Sequence, residues 1–297
     1  MDCLTLDIGG TKTAAAWWRG GELLLRREAA THGNAQSVLE LVGRLALDAP
    51  PAQQVGAAIT GVTDGRTVWA LNRHLIEGWD GLALADRLEQ RLGLPASLLN
   101  DAQAAAWGEY RMQGDALQDL MFITVSTGIG AGLVLGGKLR IGATGLAGHL
   151  GHTVAGTAPG SRDAVCSCGR GVCLECQVSG AAMRQALAAQ GLGSRSARSW
   201  MQAEHRDVPA VQSWLRFATD RLANAIADAH ALLDLQGVLL GGGLGMHPVF
   251  LRGVQTAMAG LPARYQIPVV PARLGADAGL RGMALWLQER GQVAAGT

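Results

Sequence analysis

Charge is scarce in this sequence: Asp, Glu, Lys and Arg together make up 16% of 297 residues and nearly cancel, leaving a net +1. So weak a field excludes a surface built to hold nucleic acid or an anionic membrane, and points to a small partner bound in a site. Long apolar runs are missing as well. No stretch approaches the roughly 18 apolar residues of a membrane-spanning helix. The start, Met1-Asp2-Cys3-Leu4-Thr5, has neither the basic residues nor the apolar stretch of an export signal. Cysteine is absent except for Cys3 and four residues packed between Cys166 and Cys176. Without an export signal, that clustering excludes a disulfide scaffold and reads as metal binding. The expectation is a soluble, cytoplasmic protein, with Cys3 a small buried apolar residue on the first strand.

What is abundant is apolar content and glycine. A hydrophobic share of 48% excludes intrinsic disorder, and 42 glycines sit largely in short runs beside strands. Such glycines let backbone approach a ligand closely. The length exceeds a typical single core, so two domains are expected. The chain reads strand, tight turn, strand at Leu4–Ile8, Gly9-Gly10 and Thr13–Trp18. A helix is expected over about Asn34–Asp48, where Val38, Leu41, Val42 and Leu45 keep helical spacing. A strand follows at Gln54–Thr60, a helix over residues 81–92, a short strand at Ser97–Asn100 and an alanine-rich helix at Asp101–Met112. From Leu120 the layout repeats: a strand at Met121–Val125, a glycine turn over Ser126–Gly132, and a return strand from Leu133. Residues 145–176 are expected to be irregular. A long helix spans Pro209–Leu233, a strand at Gly237–Leu240 meets the turn Gly241–Gly243, and a terminal helix covers Asp277–Glu289. Two halves opening alike suggest a duplicated α/β architecture. The expected division is a small domain over 1–118, completed by a C-terminal helix at 278–297, and a larger one over 119–277 carrying the metal loop.

Four stretches carry chemistry. In Asp7-Ile8-Gly9-Gly10-Thr11-Lys12 the glycines free backbone N–H groups for phosphate oxygens; Thr11 adds a donor, Lys12 a charge, and Asp7 a carboxylate for Mg²⁺ through water. A plain hairpin turn explains the same residues, and the spacing is not that of a Walker loop. Ser126-Thr127-Gly128-Ile129-Gly130-Ala131-Gly132 is followed by a strand pattern, which excludes a dinucleotide fingerprint. Together with the Asp7–Lys12 turn it suggests a nucleotide polyphosphate held between the two halves, and Gly241-Gly242-Gly243 offers bare backbone for a nucleoside or, alternatively, a strand or helix end packed closely in the core. Asn100-Asp101 falls where strand meets helix. A capping role is the simpler reading there, and a carboxylate base for a sugar hydroxyl the functional one. Finally, Cys166-x-Cys168-x4-Cys173 supplies three thiolates, with Cys176 or His152 to complete a tetrahedron. Gly148-His149-Leu150-Gly151-His152 places two imidazoles nearby in sequence.

In this order, Asp7–Lys12, Asn100-Asp101, Ser126–Gly132, His152, Cys166-x-Cys168-x4-Cys173-x-Glu175 and Gly241–Gly243 resemble the repressor–open-reading-frame–kinase (ROK) family over essentially the whole chain. The resemblance implies a two-domain actin-like ATPase fold, of the ribonuclease H-like class, with ATP and sugar in an interdomain cleft. Within the family the stretches Asn100–Trp107, Phe122–Gly128 and Gly145–His152 are similar to the branch that phosphorylates N-acetyl-D-mannosamine at O6, in sialic acid catabolism. Family glucokinases usually carry glutamate where this chain has His149. Glucokinase or N-acetylglucosamine kinase activity is the alternative. A sugar-sensing repressor is disfavoured, because only six residues precede Asp7 and a DNA-binding helix-turn-helix needs more.

By matching position, the resemblance implies Asp101 as base for the C6 hydroxyl. Asn100, His152 and Glu175 would hold sugar hydroxyls, with His149 and Gly61 beside them. Asp7, Gly9, Gly10, Thr11, Lys12, Thr127, Gly128, Gly130, Gly132, Gly242 and Gly243 would serve ATP and its Mg²⁺. The ligands of a structural Zn²⁺ would be His152, Cys166, Cys168 and Cys173. The chain departs from the family in having Val172 rather than glycine before the third cysteine, and in its extra Cys176. The expected partners are ATP and an N-acetylated hexosamine, and the expected assembly is a homodimer.

Overall fold

The computed structural model describes residues 2–295 apart from 73–74, 115, 155, 157–164, 194, 203 and 206, with side chains described as far as 291. Along the chain come β1 (Asp2–Ile8), β2 (Lys12–Arg19), β3 (Glu22–Ala30), α1 (Ala35–Leu45), β4 (Gln54–Ile59), the two-residue β5 (Val62–Thr63) and β6 (Val68–Trp69), α2 (Leu84–Leu92), β7 (Ala96–Asn100) and α3 (Asp101–Gln113). They are followed by β8 (Leu120–Val125), β9 (Ile129–Leu135), β10 (Lys138–Arg140), α4 (Glu175–Val178), α5 (Gly180–Ala188), α6 (Ala197–Trp200), α7 (Pro209–Leu233), β11 (Gly237–Gly241), α8 (Pro248–Ala259), β12 (Val269–Pro271) and α9 (Ala278–Ala295).

The chain forms two compact units. One comprises Met1–Gly114, Leu139–Gly148 and Ala276–Thr297; the other comprises Asp115–Lys138 and His149–Gly275. The segment 139–148 therefore belongs with the N-terminal residues rather than with its own neighbours in sequence.

Each unit is built on a sheet of the same plan. The first runs β3-β2-β1-β4-β7, and the second runs β10-β9-β8-β11-β12, with β10 the strand in which the chain leaves that unit. In both, an antiparallel hairpin opens the sheet (β1 with β2, β8 with β9) and parallel strands continue it (β1, β4, β7; β8, β11, β12). The repeat seen in the sequence is thus a repeat of topology. The parallel strands read as near-continuous apolar runs, Val55-Gly-Ala-Ala-Ile59 and Val238-Leu-Leu240, because they are buried on both faces. β3 follows no such rule. Its Glu22-Leu-Leu-Leu-Arg-Arg-Glu pattern is that of an exposed edge strand, held by pairing to β2 rather than by burial.

In the first unit α9 lies on α3 and on β4 at unusually short range. A Cβ on Gly282 would stand 1.7 Å from the Ala104 carbonyl oxygen, and one on Gly108 would stand 2.9 Å from the Ala278 carbonyl. Only glycine permits this approach, and it matters because α3 begins at Asp101 while α9 begins beside Asp7 (Gly279 Cβ to Asp7 Oδ2, 3.4 Å). Gly282→Ala is expected to cost about 1–3 kcal/mol by forcing the helices apart, read as a lowered denaturant midpoint with an unchanged slope. In the second unit α7 and α8 cover β8 and β11. They form a core that includes Met121, Ile123, Leu222, Ile226, Leu240 and Phe250. Among the described residues no helix is long and apolar enough to cross a membrane.

Candidate active site and metal centre

In the first unit the Gly9-Gly10 turn joins β1 to β2, closed by Gly9 N–H donating to the Lys12 carbonyl at 3.0 Å. Thr11 is exposed at its tip. The Lys12 ammonium lies 3.3 Å from Glu28, which also pairs with Arg26, and Arg26 reaches Asp277 at 2.8 Å. Lys12 is thus part of an ion network on the β2–β3 face, a partner that its position in the turn did not suggest. Asp7 is the penultimate residue of β1, its pKa pushed up to about 7, first by loss of hydration and then by the Asp101 charge, against the pull of Lys12.

The sign of that shift fixes a pH dependence. A carboxyl whose folded pKa lies above its unfolded one destabilises the fold progressively as pH rises from about 4 to about 7, and by a constant amount above. Asp7→Asn therefore raises the thermal midpoint of the ligand-free protein more at pH 8 than at pH 5, as scanning calorimetry at the two pH values would read.

Asn100 and Asp101 stand at the junction of β7 and α3. Asn100 is buried and caps the helix: its Oδ1 accepts from Ala102 and Gln103 N–H at 3.0 and 3.1 Å, and its Nδ2 donates to the Gly61 carbonyl at 3.0 Å. The capping reading of Asn100 therefore holds in full, and one amide hydrogen at most is left for a ligand. Gly61 has φ 106° and a Cβ there would collide with the Trp69 carbonyl at 2.5 Å, so the position admits only glycine. Asp101 is the first residue of α3, its Oδ1 accepting from Ala102 N–H at 2.7 Å. The helix N-terminus stabilises its anion.

A residue that sequence reading passed over lies one half-turn on. Gln103 is fully buried, and its Nε2 donates to the carbonyls of Gly145 and Ala147, both at 3.0 Å. The available signal was a lone amide inside an alanine run.

In the second unit the turn between β8 and β9 is shorter than expected. It covers Ser126–Gly128, and Gly130 and Gly132 lie within β9, opposite Thr124 and Phe122. The antiparallel ladder simply continues through both glycines. The Ser126 and Thr127 carbonyls accept from Gly180 and Ala181 N–H at the start of α5, at 2.7 and 3.1 Å, which leaves the Thr127 side chain exposed. Thr11 and Thr127 thus occupy corresponding turns in the two sheets. The space where Gly128 lacks a side chain is taken by the Glu175 carboxylate, 2.4 Å from an ideal Cβ, and Glu175 Oε2 accepts from Ile129 N–H at 2.8 Å. Gly242 has φ 82° and packs its backbone on the Val125 carbonyl, whereas Gly243 faces open space.

The four metal-ligand candidates come together. The ligand atoms of His152, Cys166, Cys168 and Cys173 all lie within 4.8 Å of one another. His152 Nδ1 is 3.5 Å from Cys166 Sγ, and Cys168 Sγ is 3.7 Å from Cys173 Sγ. With Zn–S about 2.3 Å and Zn–N about 2.0–2.1 Å, the edges of a tetrahedron are about 3.6 Å for N···S and about 3.8 Å for S···S. The donor set and its spacing therefore fit zinc. Burial and the neighbouring thiols drive the Cys173 pKa well above the ordinary thiol range, a crowding that a bound cation reverses. Cys176 falls outside the four-atom cluster, on the first turn of α4. With Nδ1 turned to the sulfurs, His152 keeps Nε2 for another partner, and the His149 ring lies 6.4 Å away at 25° to it. Cys3, by contrast, is fully buried, and burial pushes its thiol pKa to about 11.

This arrangement, two sheets of one topology with a carboxylate at a helix start and a Cys3His cluster, is that of a ROK sugar kinase, and the ROK family sequence profile matches residues 3–290. The chain belongs to the ROK family. An N-acetylmannosamine kinase of Shigella boydii serotype 18 is 41% identical over 293 residues, covering 97% of this chain and 99% of that one. A ROK family glucokinase from Streptomyces griseus, solved with glucose and AMPPNP, superposes with a TM-score of 0.81 at 30% identity, over 96% of this chain and 99% of that one. The ROK hexokinase of Thermus thermophilus superposes with 0.79 at 29% identity, over 98% and 99%. The fold is the two-domain, mixed α/β actin-like ATPase fold of these sugar kinases.

Proposed function

We propose that this protein transfers the γ-phosphoryl group of ATP to O6 of N-acetyl-D-mannosamine, releasing ADP, as a step of sialic acid breakdown in the cytoplasm. The observation that carries this reading is Asp101: an acidic side chain on the first turn of α3, beside a second carboxylate, Asp7, near the end of β1. Full-length identity to N-acetylmannosamine kinases supports the choice of sugar.

Asp101 orients the C6 hydroxyl and accepts its proton as the oxygen attacks phosphorus. His152, through Nε2, and Glu175, through its second oxygen, hold sugar hydroxyls, with Asn100, His149 and Gly61 completing the sugar contacts. The turns bearing Thr11 and Thr127 and the backbone at Gly9, Gly10, Gly128 and Gly243 receive the nucleotide and its phosphates. Lys12 reaches them on exchanging Glu28 for phosphate, while Gly130, Gly132 and Gly242 support those turns from within the sheet. Asp7, held near neutral pKa beside a second carboxylate, would hold the Mg²⁺ that accompanies ATP, and that ion would supply charge neutralisation on the phosphates. His152, Cys166, Cys168 and Cys173 would hold zinc with no position left open, so the ion would serve as a scaffold only; bound through Nδ1, His152 would keep Nε2 for the sugar, and Glu175, two residues from Cys173, would be held in place. The protein acts as a homodimer.

ADP release measured over N-acetylmannosamine, N-acetylglucosamine, glucose and mannose tests the substrate. A kcat/KM for N-acetylmannosamine at least tenfold above the others is expected; a preference for glucose would overturn the choice of sugar.

A further inference from the structure

We infer that Gln103 is a positioning residue for the sugar, a role that rests on the kinase reading above. Its side chain has no exposed surface, and it lies two residues after Asp101 on α3. Both hydrogens of Nε2 are spent on carbonyls of one short segment, Gly145 and Ala147, each at 3.0 Å. The amide orientation is fixed by chemistry, since an oxygen in that place would face two acceptors. The same segment is also packed tightly against β5. Gly145 has φ 82°, and a Cβ on it would stand 2.1 Å from the Thr63 carbonyl. The chain reaches His149 two residues beyond Ala147. One buried side chain thus ties the helix that begins with the base to the segment that delivers the histidine.

Core filling does not account for this choice. Gln103 Oε1 is buried with no partner among the described residues, which makes the amide a costly occupant compared with a hydrocarbon of equal size. What an amide supplies and a hydrocarbon cannot is register: two donors that fix where the 145–147 carbonyls sit relative to Asp101.

Gln103→Met keeps length and volume and removes both donors; Gln103→Asn keeps one amide but withdraws it by a methylene. Steady-state kinetics of both variants, with thermal midpoints alongside, test the role. Gln103→Met is expected to raise KM for the sugar about tenfold while KM for ATP stays within twofold, and Gln103→Asn to fall between it and the wild type. A tenfold rise corresponds to about 1.4 kcal/mol. If Gln103→Met does not fold, Gln103→Asn carries the same split. Unchanged sugar KM with only a lowered midpoint, or a parallel rise for both substrates, would overturn the inference and leave the kinase reading standing. A wild-type protein that phosphorylates no sugar would overturn both.

Discussion

Replacing Asp101 by asparagine should lower turnover with N-acetylmannosamine by about 10³-fold while sugar affinity changes no more than a few-fold. The size follows from losing both general-base transfer and the correctly placed anion, within the 10²–10⁴ range for such groups. The fold should survive. Asn100, not Asp101, caps α3 through Ala102 and Gln103, and an asparagine at 101 can still accept from Ala102 N–H. A second readout separates this from general damage. The Asp101 charge is one of the causes that raise the Asp7 pKa, so in the variant Asp7 should titrate below its present value of about 7. Turnover within tenfold of wild type would remove Asp101 from the role of base.

The second large effect is expected at the candidate metal site. Cys173 is fully buried, and its thiol lies 3.7 Å from that of Cys168. Cys173→Ser should abolish zinc binding, from about one equivalent to none by atomic absorption, and lower the thermal midpoint by several degrees, because structural zinc contributes folding free energy directly. The consequence for function is selective. Glu175 follows Cys173 by two residues and accepts from Ile129 N–H, so a loosened Cys173 releases the brace on the Ser126–Gly128 turn and lets the His152 ring rotate. Sugar KM should therefore rise at least tenfold, and wild-type protein stripped with a chelator should behave alike and recover on adding zinc. Protein that loses its zinc without change in stability or sugar KM would contradict the scaffold role.

Much of this was legible in the residues, and the parts that were not share a cause. The repeated strand-turn-strand layout announced the repeated sheet, because alternation and glycine are local signals. The four candidate metal ligands were grouped by the resemblance, whereas spacing alone left Cys176 and His152 as rivals. Only the fold brings His152 Nδ1 to 3.5 Å from Cys166. β3 was missed because an edge strand paired on one side needs no apolar face. Gly130 and Gly132 were read as turn because glycine usually marks one, but the ladder opposite Thr124 and Phe122 carries straight through them. The same holds for the partners of Lys12, Gly128 and Gln103. Each is set by a residue distant in sequence (Glu28, Glu175 and the 145–147 carbonyls), and nothing in a local pattern encodes such contacts.

The most direct test of the whole account is the product itself. Phosphorus and proton NMR of a reaction containing the protein, ATP, Mg²⁺ and N-acetyl-D-mannosamine should show ADP and one phosphomonoester in equal amounts, with the ester phosphorus coupled to the two C6 protons. ADP accompanied by inorganic phosphate in place of any ester, or an ester coupled to any other carbon's proton, would contradict it.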